Sequence, residues 1–173
     1  MNLIVTCSRH MEEEAVNEIS KFLQVIGDVD PKIEISEFSG IVTACTSLDP
    51  FEIVVEIRKK ILDEPWSMRY CHRFIPIQET TETTLDEIVK AVQKHINKMK
   101  STDSYRITIE KRGSDLSSKD MIDAIAKIIH NRVSLEKFDW NIIIEVLGRV
   151  SGISILKEQD IVSTLKLKRD SME

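Results

Sequence analysis

The chain has 173 residues, of which 42% are hydrophobic and 31% are charged, a balance typical of a globular protein with one domain or two small ones. Five glycines and four prolines are too few for long disordered stretches. The net charge of -5 excludes a chain that is basic throughout, and no apolar run has the length of a bilayer span, so we expect no membrane segment.

The first 78 residues are predicted to fold in the order β-α-β-β-α-β. Glu12–Glu14 complement the dipole at the start of the first helix, and Asp49 precedes Pro50 as a cap for the second. The predicted strands are Leu3–Thr6, Lys32–Glu37, Ile41–Thr46 and Tyr70–Gln78, and the helices run from Met11 to Ile26 and from Pro50 to about Leu62. This order is the split β-α-β pattern of a ferredoxin-like domain, which we expect at residues 1–78.

Residues 79–173 are predicted to form a second, α/β domain, so that the whole chain is of the α+β class. Thr84 with Glu87, and Ser117 with Asp120, have the spacing of helix N-caps before apolar stripes. The predicted strands are Ser104–Glu110, Asn141–Leu147 and Val150–Leu156. The last two strands are continuous apolar runs, which is typical of central strands that are covered on both faces.

The sequence has none of the usual patterns of a catalytic or cofactor site: no glycine-rich nucleotide loop, no nucleophile elbow and no zinc-protease helix. Cys7, Cys45 and Cys71 lack metal-type spacing and are interpreted as small buried residues in a reducing cytoplasm. Cys71 and His72 are adjacent in a predicted strand, where neighbours face opposite sides, and this disfavours a Cys–His dyad. We therefore expect a non-catalytic binding protein without a metal or cofactor of its own.

Basic residues cluster where the strand that begins at Ser104 gives way to the helix near Ser117. Lys111, Arg112 and Gly113 occupy this turn, beside a helix N-terminus whose free N–H groups favour phosphate oxygens. The same composition is typical of an ordinary solvated turn, so spacing alone leaves both interpretations open. The further basic candidates are Arg69, His72, Arg73, Arg149, Lys157, Lys166, Lys168 and Arg169.

Aromatic side chains that might stack on bases are few, at 5% of the chain. The nearest are Trp66, Tyr70, Tyr105, Phe138 and Trp140, and burial is the expected state of most of them. A handful of cations with few stacking surfaces favours recognition of folded RNA through shape and phosphates.

Three segments resemble the THUMP-domain proteins of tRNA modification. They are residues 73–77 before the capped helix, residues 106–113 at the basic strand end, and residues 143–157 across the two apolar strands. The opening residues 3–15 are similar to the ferredoxin-like domain that precedes THUMP in many members. The resemblance implies a THUMP domain at residues 79–173.

Members of this family usually carry a methyltransferase, thiouridine synthase or pseudouridine synthase domain, and no such site is present in these 173 residues. The free-standing architecture resembles the adaptor that presents tRNA to a separate RNA cytidine acetyltransferase, which would supply the chemistry. By this resemblance Lys111 and Arg112 match the family's basic strand end, and Arg149 and Lys157 match the later turn and strand end.

The sequence therefore predicts a tRNA-binding adaptor in partnership with an RNA cytidine acetyltransferase. The expected RNA-binding residues are Lys111, Arg112, Gly113, Arg149, Lys157, Arg73, Lys166 and Lys168. Three alternatives stay open: a protein-interaction module that docks through its acidic first half, a tRNA-binding subunit of a thiolation or methylation enzyme, and a small-molecule enzyme that uses Cys71 and His72.

Overall fold

The computed structural model describes all 173 residues, which divide into two compact units. Unit 1 comprises residues 1–76 and 159–173, and unit 2 comprises residues 77–158. Each unit contains a five-stranded sheet, so the fold is a mixed α/β arrangement of the α+β class. No helix is both long enough and apolar enough to cross a bilayer.

The six elements predicted for the first part of the chain are all present and in the predicted order. They are β1 (Leu3–Cys7), α1 (Glu12–Val25), β2 (Lys32–Ile35), β3 (Ile41–Cys45), α2 (Pro50–Asp63) and β4 (Cys71–Pro76). The predicted cap of α2 is confirmed, because the Asp49 carboxylate accepts the Phe51 N–H and Pro50 is the first helical residue.

The strands of unit 1 are ordered β4-β1-β3-β2, and every neighbouring pair is antiparallel. Alternate residues of β1 and β4 project towards the apolar stripes of the two helices. The resulting core includes Leu3, Val5, Ala15, Ile19, Leu23, Ile53, Ile57 and Phe74, all buried. Burial of each large side chain contributes about 1.5–3 kcal/mol relative to exposure, so this layer of helix on sheet stabilises the unit.

Unit 2 is built from five strands and two helices. They are β5 (Glu79–Glu82), α3 (Leu85–His95), β6 (Ser104–Arg112), α4 (Ser118–Ile128), β7 (Arg132–Val133), β8 (Trp140–Leu147) and β9 (Val150–Leu156). The predicted caps are confirmed: Thr84 accepts the Glu87 N–H and Ser117 accepts the Asp120 N–H.

The sheet of unit 2 has the order β5-β9-β8-β6-β7. As predicted, β8 and β9 are interior strands, and they are buried along most of their length. Strand β6 is parallel to both β7 and β8, whereas the other pairs are antiparallel. Strands β5 and β7 were not predicted from the sequence; they are short, largely polar and located at the two edges of the sheet.

The last residues return to unit 1 as β10 (Val162–Ser163) and α5 (Thr164–Asp170). Strand β10 extends the sheet beside β4, Val162 joins the core, and the Thr164 hydroxyl donates to the Cys71 carbonyl at 2.9 Å. The sequence-based boundary assigned residues 159–173 to the second domain, whereas they pack in unit 1. A two-residue strand has no detectable period, and its partner β4 lies about ninety residues earlier, so local pattern carries no signal for this return.

Gly40, in the turn before β3, lies close to the backbone of Cys7 at the end of β1, and this contact can be tested by substitution. Its φ is +77°, and a Cβ at this position would lie 2.8 Å from the Cys7 carbonyl oxygen. Gly27 also has a positive φ, of +117°, but a Cβ there would meet nothing within 4 Å. We expect Gly27→Ala to lower the free energy of unfolding by about 1–3 kcal/mol and Gly40→Ala by more, in urea denaturation. Equal losses in the two variants would contradict the close approach to Cys7.

Candidate nucleic-acid interface

The carboxyl ends of the parallel strands β6 and β8 meet at one edge of the sheet in unit 2, which we call the strand-end edge. Arg112 lies beside Leu147 in the pairing, and the Gly148 N–H donates to the Arg112 carbonyl at 2.8 Å. Gly113 and Gly148 have φ values of +66° and +65°, which allow the backbone to turn sharply at the ends of β6 and β8. Ligands of α/β sheets commonly bind beyond the carboxyl ends of parallel strands.

A surface depression of about 550 Å³ lies at the strand-end edge. It is lined by Glu82, Thr83, Thr84, Gly113, Ser114, Gly148, Arg149 and Val150. The Thr83 N–H donates to the Arg149 carbonyl at 2.9 Å, and the Thr83 and Ser151 hydroxyls are 2.8 Å apart. These contacts hold the turn after β8 against the start of α3, so the exposed Arg149 lies beside the first turn of a helix.

Lys111 is exposed near the end of β6. Its ammonium donates to the Leu116 carbonyl at 2.9 Å, which anchors the loop that leads into α4. A carbonyl is a neutral acceptor, so this contact orients the side chain without removing its positive charge. Lys111 therefore remains available to an anion at the strand-end edge.

Arg112 has a different environment from its neighbour. Its guanidinium donates to the Glu145 carboxylate at 2.8 Å, and the two side chains are 25% and 2% exposed. Successive side chains of a strand point to opposite faces, so Lys111 and Arg112 do not form one surface. The sequence predicts two adjacent cations at this turn, whereas in the structure the charge of Arg112 is paired with the buried carboxylate of Glu145.

Lys157 lies at the other end of the strands in the same sheet, where β6 and β8 begin. It follows β9, and its ammonium is 5.2 Å from the centroid of the Trp140 ring, at the beginning of β8. Lys157 lies eight positions after Arg149, a distance of roughly 25 Å along an extended strand. Lys157 and Arg149 therefore flank opposite ends of one strand, as a strand end and a turn.

The end of the sheet near Lys157 contains a carboxyl group, that of Asp103, with a lowered pKa. The Trp140 indole N–H and the Lys100 backbone N–H donate to Asp103 and hold the pKa of its carboxyl below the usual value. This network joins the turn before β6 to the start of β8, so it stabilises the sheet at this edge.

The remaining predicted RNA-binding residues lie in unit 1. Arg73 is opposite Ser163 in the pairing of β4 with β10, and the Lys166 N–H donates to the Ser163 hydroxyl at 3.4 Å. The Lys168 ammonium donates to the Met68 carbonyl at 2.5 Å. The return of the chain through β10 and α5 thus brings these three cations to one part of unit 1.

Several residues of these surfaces were not identified from the sequence. Thr83 and Thr84 line the depression, although the sequence marked only Thr84, and only as a helix cap. Burial was expected of most of the five aromatic residues; Tyr105 is buried, whereas Trp66 is 71% exposed. Exposure of a lone aromatic residue depends on tertiary packing and has no local signal.

The alternative catalytic pair of Cys71 and His72 is separated by the fold. Cys71 is fully buried, and this burial, with Glu18 nearby, raises the pKa of its thiol far above the ordinary value, so the thiolate is disfavoured. His72 instead contacts the Ser8 hydroxyl at 3.3 Å. The expected burial of cysteines holds for Cys7 and Cys71, whereas Cys45 is exposed.

One segment of the chain matches a known protein family. Residues 82–156 match the THUMP domain, and they lie entirely within unit 2, so this unit contains a THUMP domain. No curated protein matches the chain in sequence.

Solved structures with a similar fold cover nearly the whole chain. PH1313 from Pyrococcus horikoshii Ot3 superposes with a TM-score of 0.64 and 18% identity, over 91% of this chain and 55% of that one. TrmN from Thermus thermophilus gives 0.59 and 12%, over 90% and 45%. A 4-thiouridine synthetase, solved as an RNA complex with bound ATP, gives 0.53 and 9%, over 94% and 42%. This chain thus spans about half the length of the solved chains, and the likeness is one of fold.

Proposed function

We propose that this chain binds structured tRNA through the strand-end edge of its THUMP domain and serves a tRNA-modification reaction. The observation that carries this proposal is the THUMP match at residues 82–156, since THUMP is an RNA-binding domain. The similar fold of a synthetase that was solved with RNA supports the same class of ligand.

The strand-end edge supplies groups suited to phosphate oxygens. Lys111 and Arg149 are exposed cations, and the first turn of α3 adds backbone N–H groups, beside the acidic side chains of Asp86 and Glu87. Glu82 lines the same depression and lowers its positive potential. We therefore expect moderate affinity that depends on a few phosphate contacts and that falls steeply as the salt concentration rises.

We further propose that the chain is a non-catalytic adaptor that presents tRNA to a separate RNA cytidine acetyltransferase. Its contribution to the rate would be positional, because holding the nucleotide near the partner's active site makes the encounter effectively local. Unit 1 is proposed to be a ferredoxin-like domain, and the antiparallel strand order β4-β1-β3-β2 supports this assignment. It would set the distance between the bound tRNA and the partner enzyme.

A second candidate is a tRNA-binding subunit of a thiolation or methylation enzyme. The likeness to a 4-thiouridine synthetase favours this candidate. Both candidates assign the RNA contact to the same domain, and they differ only in the reaction that is served.

Filter binding of tRNA over a series of salt concentrations tests the RNA contact. We expect binding at low salt and a log–log slope of about two, corresponding to two phosphate contacts. The absence of any tRNA complex at about 50 mM salt would refute the proposal. Nucleoside mass spectrometry after gene deletion then separates the candidates: loss of acetylcytidine supports the adaptor, whereas loss of a thiolated or methylated nucleoside supports the alternative.

A further inference from the structure

The outer side of β6 is covered over only a small part of its length. This strand has nine residues, and residues 105–112 pair with β8 on the inner side. On the outer side, β7 pairs only with Ser104 and Tyr105. Beyond Tyr105 the outer side of β6 has no neighbouring strand.

Hydrogen bonds at the two ends of β6 show which residues face outwards. The carbonyls of Ser104 and Arg112 accept N–H groups from the β8 side, whereas the Tyr105 carbonyl accepts the Ser134 N–H on the β7 side. Backbone groups of a strand alternate between its two sides. The backbone N–H and C=O groups of residues 107, 109 and 111 therefore point outwards, and no backbone partner meets them.

An edge of this kind offers a template for another strand. Natural proteins usually protect such edges with very short strands, bulges or a covering helix, because exposed backbone groups recruit additional chains. Residues 107, 109 and 111 each present one backbone N–H donor and one C=O acceptor on the outer side of β6. An extended backbone that lies alongside β6 can form hydrogen bonds with all three residues. We propose that the outer edge of β6 over residues 107–111 receives an extended segment of a partner protein as an added antiparallel strand.

The side chains of β6 specify the chemistry of this segment. Ile107 and Ile109 pack against the core of unit 2 and share a face with Lys111, while Glu110 is exposed on the other face. Residues directly opposite each other in an antiparallel pair interact, and opposite charges stabilise it. The fitting segment therefore has β-branched residues opposite Ile107 and Ile109, an acidic residue opposite Lys111 and a basic residue opposite Glu110.

A second copy of the chain fits this edge less well. If Ile109 pairs with its own counterpart, Lys111 lies opposite Ile107 and Glu110 lies opposite Thr108, so no charge pair forms. A complementary segment of another protein is the better occupant, and this inference does not depend on RNA binding.

Amide hydrogen exchange on the full chain tests the proposal. In the free protein we expect fast exchange at Ile107, Ile109 and Lys111 and slow exchange at Thr108 and Glu110, which are bonded to β8. The probe is the peptide acetyl-Thr-Glu-Lys-Val-Thr-Val-Thr-amide, which places Glu opposite Lys111 and Lys opposite Glu110. At about 1 mM peptide, exchange at the three outward amides should slow by about tenfold, with no change at the other two.

The matched control peptide exchanges the positions of Glu and Lys, which places like charges opposite Lys111 and Glu110. It should protect the outward amides several-fold less at the same concentration. Slow exchange of these amides in the free protein, no effect of the first peptide, or equal effects of both peptides would each overturn the proposal. Protection that rises with protein concentration alone would also overturn it, since it would identify a second copy as the occupant. Filter binding of tRNA to the protein without peptide reports separately on the RNA proposal.

Discussion

Replacing Arg112 with alanine is expected to lower the free energy of unfolding by about 3 kcal/mol. The Glu145 side chain is only 2% exposed, and the variant would remove the guanidinium that lies 2.8 Å from its carboxylate. A buried carboxylate that loses its cation bears a large desolvation cost, whereas Arg112 itself is a quarter exposed, which places the effect towards the lower end of the usual range. Urea denaturation near neutral pH measures this loss.

Arg106→Ala is the matched control, because Arg106 lies on the same face of β6. Its guanidinium contacts the Leu135 carbonyl and the Phe138 ring, so its removal should cost about 1 kcal/mol or less. Combining Arg112→Ala with Glu145→Leu should recover much of the stability, since the buried charge is removed together with its partner. An Arg112→Ala variant that is no less stable than Arg106→Ala would contradict the role of the ion pair.

Combining Lys111→Ala with Arg149→Ala is expected to weaken tRNA binding by more than tenfold and to remove nearly all of the log–log salt slope. Both side chains are exposed, so the variant should fold like the parent chain. The reason for the slope change is the loss of two cations that would otherwise release counterions from tRNA phosphates. Filter binding at four or more salt concentrations measures both quantities.

The matched control is Lys100→Ala combined with Lys127→Ala, which removes the same charge. Lys100 lies in the turn before β6 and Lys127 in the last turn of α4, both away from the strand-end edge. This control should leave the slope nearly unchanged. Equal losses in the two double variants would mean that binding follows total charge, which would rule out a site at the strand-end edge.

The elements that were predicted correctly have strong local signals. The caps at Asp49, Thr84 and Ser117 depend on side-chain oxygens that lie two or three residues from the N–H groups they accept. The central position of β8 and β9 follows from continuous apolar runs, because only strands that are covered on both faces bury every residue. Such features depend on neighbours in sequence, so a single chain reveals them.

The elements that were missed depend on distant partners. Strands β7 and β10 have two residues each, and the pairing of β10 with β4 joins residues about ninety positions apart. The environment of Arg112 was missed for the same reason. Its partner Glu145 lies thirty-three residues later, so the sequence around Lys111 and Arg112 does not reveal the ion pair.

The amino-acid sequence by itself determined the order of the longer helices and strands, the caps of α2, α3 and α4, and the resemblance of residues 106–113 and 143–157 to a THUMP domain, because these depend on local periodicity and short motifs. Only the tertiary structure decided which cations share a surface. It left Lys111 and Arg149 at the strand-end edge, engaged Arg112 with a buried carboxylate, and placed Lys157 at the opposite edge. The physical reason is that strand alternation and antiparallel pairing separate residues that are neighbours in sequence and join residues that are far apart.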